Sequence, residues 1–375
     1  MRFIGIVTNG VASNGDGPSD FGFLSDVNGF PAVEMTARTL LDGGAEHVYV
    51  VSGETDGDVA TCLDGNVTTL VQSNRTSFAG QVAAALEIAL RESGRDGEID
   101  GIAILPFDMP SVKPSTVFEV VSSLSSNDAT LPRLEGESGF PIAVRANLLA
   151  DMLKAGKLKA DEPENGTTGS AEFAEKLSPT IVETNDSGTV LRGSDPSGPS
   201  ALLANAARQR GVSLSRCEEL FDEAQTPQNV REHCATTSRI CRRMARNLNG
   251  HGYHLDTELC ASGGMLHDIK RVERVHSRKG RTFLCERGYD ALAQIVLDHD
   301  GFMGVCPRDF TESSIVCYAD KHAQDDKIVS IEDRYYRATS KFPPDTPVGE
   351  RLRLDVFILN LMKSRYEEIT GDRII

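Results

Sequence analysis

The chain has 375 residues, 39% of them hydrophobic and 25% charged, which suits a globular protein of two domains with sizeable cores. A net charge of −16 argues against a nucleic-acid partner, and no apolar run reaches the roughly 20 residues that cross a bilayer. The start, MRFIGIVTNG, lacks the apolar stretch and cleavage site of a signal peptide, so the expectation is a soluble, cytoplasmic protein with no membrane partner.

The eight cysteines form no CxxC pair and no dense framework, the pattern of reduced thiols rather than disulfides or zinc clusters. Charge divides unevenly: residues 1–210 carry 29 acidic and 15 basic side chains, against 26 and 24 in 211–375. Seven of the eight histidines and seven of the eight cysteines lie in the second part. Two domains, 1–210 and 211–375, account for this asymmetry, with the seam near ARQRGVSLSRC (207–217).

The first part alternates strand and helix. RFIGIVT is a β-branched run, and PAVEMTARTLLDGG puts Pro31 where a helix starts and Gly43 and Gly44 where one stops. EHVYVVS and VTTLVQS are strand-like, FAGQVAAALEIALRES is helical, and GIAIL has the pattern of a buried strand. The alternation predicts an α/β domain with a Rossmann-like parallel sheet covered by helices on both faces. Ligands bind beyond the carboxyl ends of strands in such sheets. That directs attention to TNGVASNGDGPSDFGF after the first strand and PFDMPSV after GIAIL.

The second part is helical throughout. TPQNVREHCATTSRICRRMARNL has Thr226 at a cap position and Pro227 at the first helical one. Val230, Cys234, Thr237, Cys241, Met244 and Leu248 then form a buried stripe with His233 beside it. LDTELCASGGMLHDI is a further helix whose Gly-Gly pair permits close packing and which ends in His267 and Asp268. More helices follow in RGYDALAQIVLDHD, SSIVCYADKHA, SIEDRYYRATSKF and ERLRLDVFILNLMKSRYEEI. Tyr335, Tyr336 and Phe342 fall at helical spacing and are read as core.

With FLSDVNGFPAVEMTARTLLDGGAEHVYVV, the two loops of the first part resemble the nucleotidyltransferase family that attaches GMP or CMP to molybdopterin, over roughly residues 1–205. The resemblance implies Thr8, Asn9 and Gly10 facing the nucleotide, Asn74 near the base, and Asp108 holding Mg²⁺. The family's first loop also carries an Arg and a Lys for the triphosphate, whereas residues 9–37 here contain neither. In VLRGSDPSGPSAL, Arg192 stands where the family has a second metal carboxylate. A triphosphate without cations is bound poorly, so these departures favour a degenerate domain, inactive or altered in substrate. Read from the residues alone, Asp108 is equally a loop carboxylate capping a turn.

His233, the His267 and Asp268 pair, and Asp320 in CYADK resemble, in order and spacing, the HD metal-dependent phosphohydrolase superfamily over roughly 226–342. The resemblance implies a mixed nitrogen and oxygen site for Mn²⁺, Fe, Mg²⁺ or Zn²⁺. His276 and His299 match positions where two-metal members carry extra histidines, so the site would hold one or two ions. Asp268 would be catalytic as well as a ligand, and Arg271 would meet the phosphate of a substrate. Lys270, Arg274, Arg278 and Lys279 add positive charge nearby, and each is otherwise a solvated helix edge. The expected substrate is a small phosphorylated compound, a nucleotide or a molybdopterin-related molecule. The alternatives are a bifunctional enzyme of molybdenum cofactor metabolism, a ligand sensor, or a scaffold.

Overall fold

Strand β1 (Phe3–Thr8) is buried at all six positions, as a central strand covered on both faces must be. The computed structural model describes residues 1–9, 21–53, 58–93, 99–158, 169–195, 198–300 and 309–373. They form two compact units, Met1–Ala206 and Ala207–Ile375, each with its own hydrophobic core.

From β1 the chain enters a short hairpin, β2 (Asp26–Val27) and β3 (Phe30–Pro31), then α1 (Ala32–Asp42) and β4 (Val48–Ser52). Next come β5 (Thr68–Gln72), α2 (Phe78–Ser93) and β6 (Gly101–Pro106). Pro31 is the N-cap of α1, one position before the helix, and Gly43 is its C-cap. Gly44 follows at φ 103°, a conformation that glycine adopts without strain. The unit continues with α3 (Pro114–Ser122), β7 (Ala129–Leu134), β8 (Glu137–Ser138), β9 (Ile142–Arg145) and α4 (Ala146–Lys154). Then follow α5 (Ser170–Leu177), β10 (Thr180–Glu183) and α6 (Gly198–Gln209), whose last turn crosses the unit boundary.

The sheet runs in the order β10-β7-β9-β6-β1-β4-β5, with β8 beside β7. Strands β6, β1, β4 and β5 are mutually parallel, and so are β7 and β10. Strand β9 runs antiparallel to both of its neighbours, so the sheet is mixed where the strand and helix alternation predicts a parallel one. The reversal has a local cause. Glu135 and Gly136 take φ of 49° and 93°, closing β7 onto β8 in a two-residue hairpin. No helix intervenes before β9 to carry a parallel crossover.

The second unit comprises α7 (Leu214–Ala224), α8 (Gln228–Asn249), α9 (Thr257–Leu266), α10 (His276–Cys285), α11 (Asp290–Asp298) and α12 (Glu312–Asp320). A hairpin of β11 (Ala323–Gln324) and β12 (Lys327–Ile328) departs from the all-α expectation, and α13 (Ile331–Lys341) and α14 (Pro347–Thr370) follow. The stripe on α8 is buried as its spacing predicts. Pro227, not Thr226, is the N-cap of α8, and the Thr226 hydroxyl instead donates to the carbonyl of Ile269 at 2.8 Å.

Helix α9 is buried along its whole length, which its glycines allow. A Cβ on Gly263 would lie 2.9 Å from Ile295 Cγ2 of α11, and one on Gly264 2.8 Å from Cys241 Sγ and 3.0 Å from Ser238 Cα of α8. Asp256 caps α9 by accepting from the Leu259 N–H at 2.9 Å and is paired with buried Arg210 at 2.6 Å. Start and packing of α9 together fix where His267, the next residue, emerges. Tyr335 packs on the core, but Tyr336 is 70% exposed and Phe342 half-buried beyond the helix end. Consecutive helical residues point about 100° apart, so one stripe cannot bury both tyrosines. No described helix is long and apolar enough to cross a membrane.

Candidate metal centre

The ends of several helices of the second unit converge on one cluster. His233 lies in the second turn of α8, His267 caps the end of α9 and Asp268 follows it. His276 opens α10, His299 caps the end of α11, and Asp320 closes α12.

Nε2 of His233 lies 3.2 Å from Nε2 of His267 and 3.0 Å from Oδ1 of Asp320. Oδ2 of Asp268 is 3.6 Å from His267 Nε2 and 4.0 Å from His233 Nε2. Its other oxygen, Oδ1, is 3.2 Å from His276 Nε2 and 3.5 Å from His299 Nε2. Asp268 thus presents one oxygen to each of two donor groups. Atoms about 2.1 Å from a common ion lie about 3.0–3.4 Å from one another. The three shorter separations, 3.0, 3.2 and 3.2 Å, match ligands of divalent ions, and the others, 3.5, 3.6 and 4.0 Å, are wider. Nitrogen lone pairs and carboxylate oxygens face to face repel one another, so such a donor set is held together by protons on the imidazoles or by a cation among its atoms.

Ring orientation points the same way. Nδ1 of His267 lies 2.8 Å from the carbonyl of Gly264, and Nδ1 of His299 2.6 Å from that of Val296. A carbonyl only accepts, so each Nδ1 bears the proton that it donates, and each Nε2 faces the cluster. His267, Asp268, His299 and Asp320 are all buried. Burial works against charge on Asp268, yet His267, His276 and His299 hold its carboxyl below the usual range. Burial likewise opposes ionisation of Asp320, and Lys321, His233 and His267 more than offset it. Burial also disfavours charge on His267, but Cys234, Asp268 and Asp320 raise its pKa well above the ordinary value. At His299, burial prevails and lowers the pKa.

A cavity of about 590 Å³ opens onto the cluster, with His233, Asp268, His299 and Asp320 in its lining. Arg271 stands at this cavity, its side chain 54% exposed and its Nη1 3.2 Å from His276 Nε2. The rest of the basic stretch does not join it. Lys270 turns to the Phe283 ring, 4.9 Å away, and to the carbonyl of Ala224, while Arg274, Arg278 and Lys279 are exposed outside the described lining. The sequence reading overlooked two other cations, Lys321 and Arg334, which line the cavity and both approach Asp320. Lys321 was readable as the neighbour of a candidate ligand, whereas Arg334 arrives from α13. Asp300, also overlooked, lies 3.7 Å from His276 Nε2 and groups with His276 and His299.

In the first unit, the Asn9 N–H donates to Gln81 Oε1 at 2.7 Å, and Asn9 and Asn74 share a cavity of about 220 Å³ with Ser52 and Gln81. Thr8 is buried at the end of β1, and Gly10 lies outside the described residues. Asp108, just beyond β6, is fully buried. Its Oδ2 accepts from Arg192 Nε at 3.1 Å and its Oδ1 from Arg192 Nη2 at 3.2 Å. The Ser194 hydroxyl and the Ser194 N–H also donate to Oδ2.

The two units correspond to two known domain classes: residues 23–167 match the MobA-like NTP transferase domain, and residues 230–325 match the HD domain. The chain is therefore a fusion of the two. It is 32% identical over 154 residues to an uncharacterized protein of Methanocaldococcus jannaschii, with 36% of this chain and 91% of that one covered. The chain belongs to the family of that archaeal protein. Among solved structures, it is similar to a nucleotidyl transferase from Methanothermobacter at 17% identity and a TM-score of 0.41, covering 55% of this chain and 98% of that one. It is also similar to a protein from Mycobacterium sp. strain JC1 at 16% identity and a TM-score of 0.41, covering 56% and 99%.

Proposed function

We propose that the HD unit is a metal-dependent phosphohydrolase acting in the cytoplasm on a small phosphorylated substrate, a nucleotide or a molybdopterin-related compound. One observation carries the proposal: Asp268 offers its two oxygens to two separate histidine groups beside a cavity that also holds Arg271, Lys321 and Arg334. His233, His267, Asp268 and Asp320 would hold one divalent ion, and Asp268, His276 and His299 a second. Mn, Fe, Mg and Zn all suit this mixture of imidazole and carboxylate. A bound divalent ion lowers the pKa of water and stabilises charge developing on a phosphoryl oxygen.

The chain's own groups do the remaining work. Asp268 orients the attacking water by accepting its hydrogen bond, and Arg271, half exposed and lying 3.2 Å from His276 Nε2 and 3.5 Å from Asp268 Oδ1, turns from these partners to bind the substrate's phosphate. The nucleotide or pterin class of substrate is supported by the MobA-like domain carried on the same chain, which is an argument from association.

The test pairs metal analysis with turnover on the full-length protein. The wild type should hold one or two divalent ions per chain, and Asp268→Ala should lose them while the first unit still melts cooperatively. Equal metal content in the two proteins would refute the site. A metal-loaded wild type that turns over none of a panel of nucleotides, phosphodiesters and aryl phosphates would refute the hydrolase and leave a ligand sensor.

A further inference from the structure

The MobA-like resemblance implies Mg²⁺ at Asp108, and the residues present do not fit that ion. Both carboxylate oxygens are already engaged by the forked guanidinium of Arg192, and Oδ2 additionally by Ser194. The carboxylate is 0% exposed and the Arg192 side chain 17%. An ion about 2.1 Å from these oxygens would occupy the directions that the guanidinium nitrogens now take, and the two cations would repel one another at close range.

Arg192 is also held in place by its loop. The Gly193 N–H donates to the backbone carbonyl of Asp108 at 2.8 Å, and the guanidinium lies 5.9 Å from the centre of the Phe140 ring. A Cβ on Gly193 would fall 2.3 Å from the Phe21 ring, and one on Gly198 1.8 Å from the Arg192 carbonyl. Only glycine therefore fits at Gly193 in this loop and at Gly198, the first residue of α6. Swinging Arg192 aside to admit an ion would leave a buried carboxylate briefly unpaired and disturb this packing.

We infer that Arg192 takes the place of the divalent ion in the MobA-like unit. The unit carries its own cation, fixed in the fold, and any ligand it binds is bound without a metal bridge from Asp108. The Asp108 and Arg192 pair acts as a clasp between the loop after β6 and the loop before α6. Divalent ions that the full chain binds belong to the second unit, whether or not that unit hydrolyses anything.

The test counts Mn²⁺ by electron paramagnetic resonance on full-length protein, with and without CTP or GTP. Asp268→Ala and Asp268→Ala/Asp108→Asn should hold the same number of ions, because Asp108 binds none. Restoring a carboxylate with Arg192→Asp should add one Mn²⁺ per chain relative to wild type and raise the melting temperature of that variant when Mn²⁺ is present. Arg192→Ala serves as the second variant and should show a weaker form of the same gain. The inference is overturned if Asp108→Asn removes an ion from the Asp268→Ala protein. It is equally overturned if neither Arg192 variant gains an ion, including the case in which Mn²⁺ fails to restore a cooperative melt. Because these comparisons turn on Asp108 and Arg192, they stand apart from the fate of the phosphohydrolase proposal.

Discussion

Replacing Gly264 with alanine sets two opposed effects against each other at the point where the candidate centre is built. Alanine in a helix interior is favoured over glycine by about 1 kcal/mol. Against this, the new Cβ would sit 2.8 Å from Cys241 Sγ and 3.0 and 3.1 Å from the Cα and N of Ser238, and the last two are backbone atoms of α8 that cannot rotate away. Overpacking of this kind costs roughly 1–3 kcal/mol, so the clash wins and Gly264→Ala should lose about 1 kcal/mol net. In a unit of this size that corresponds to a fall of about 2–4 °C in melting temperature.

The neighbouring substitution supplies the control. At Gly263 the Cβ would meet Ile295 Cγ2 at 2.9 Å, Ile295 Cδ1 at 3.2 Å and Val316 Cγ2 at 3.3 Å, side-chain atoms with no backbone among them. Both residues are β-branched and buried, so they yield only in part, and Gly263→Ala should lose less stability than Gly264→Ala. The function should follow the helices. Relief at Gly264 moves α9 away from α8, and with it His267 from His233, whose Nε2 atoms lie 3.2 Å apart. Calorimetric melts, combined with Mn²⁺ titration of the same samples, would read both effects. A Gly264→Ala protein that melts at or above wild type, or a Gly263→Ala protein that loses more Mn²⁺ affinity than Gly264→Ala, would show that this account of α9 packing is wrong.

Two further outcomes follow from the centre. His299→Ala removes a buried ring from one side of Asp268 only, so it should reduce the metal content by one ion and leave the group of His233, His267 and Asp320 able to hold the other; loss of all metal would contradict two separate positions. Arg271→Ala should leave metal content unchanged and raise KM by about tenfold or more, as expected for losing a charge-assisted hydrogen bond of about 1.5–3 kcal/mol. Metal loss in that variant would show that Arg271 supports the ligands rather than the substrate.

Much of this molecule is legible without its structure, because the relevant signals are local. The stripe from Val230 to Leu248 declares a buried helix face through its spacing alone, and α8 buries it. The candidate ligands at 233, 267, 268, 276, 299 and 320 stand at or near helix ends in a recognisable order, and the structure gathers all six. What the sequence left open depends on groups that meet only when the chain folds. Arg192 reaches Asp108 across 84 residues, so a sequence can show an arginine in place of an acid without showing that it grips the remaining one. Arg334 comes to Asp320 from another helix. The division of Asp268 between two histidine groups rests on which way each oxygen points, a matter of side-chain orientation that spacing does not encode. Periodicity says which face of an element is buried, because burial follows from the geometry of one helix or strand. Which buried or charged groups face one another is settled by packing between elements, and in this chain that packing gathers the candidate ligands and pairs Arg192 with Asp108.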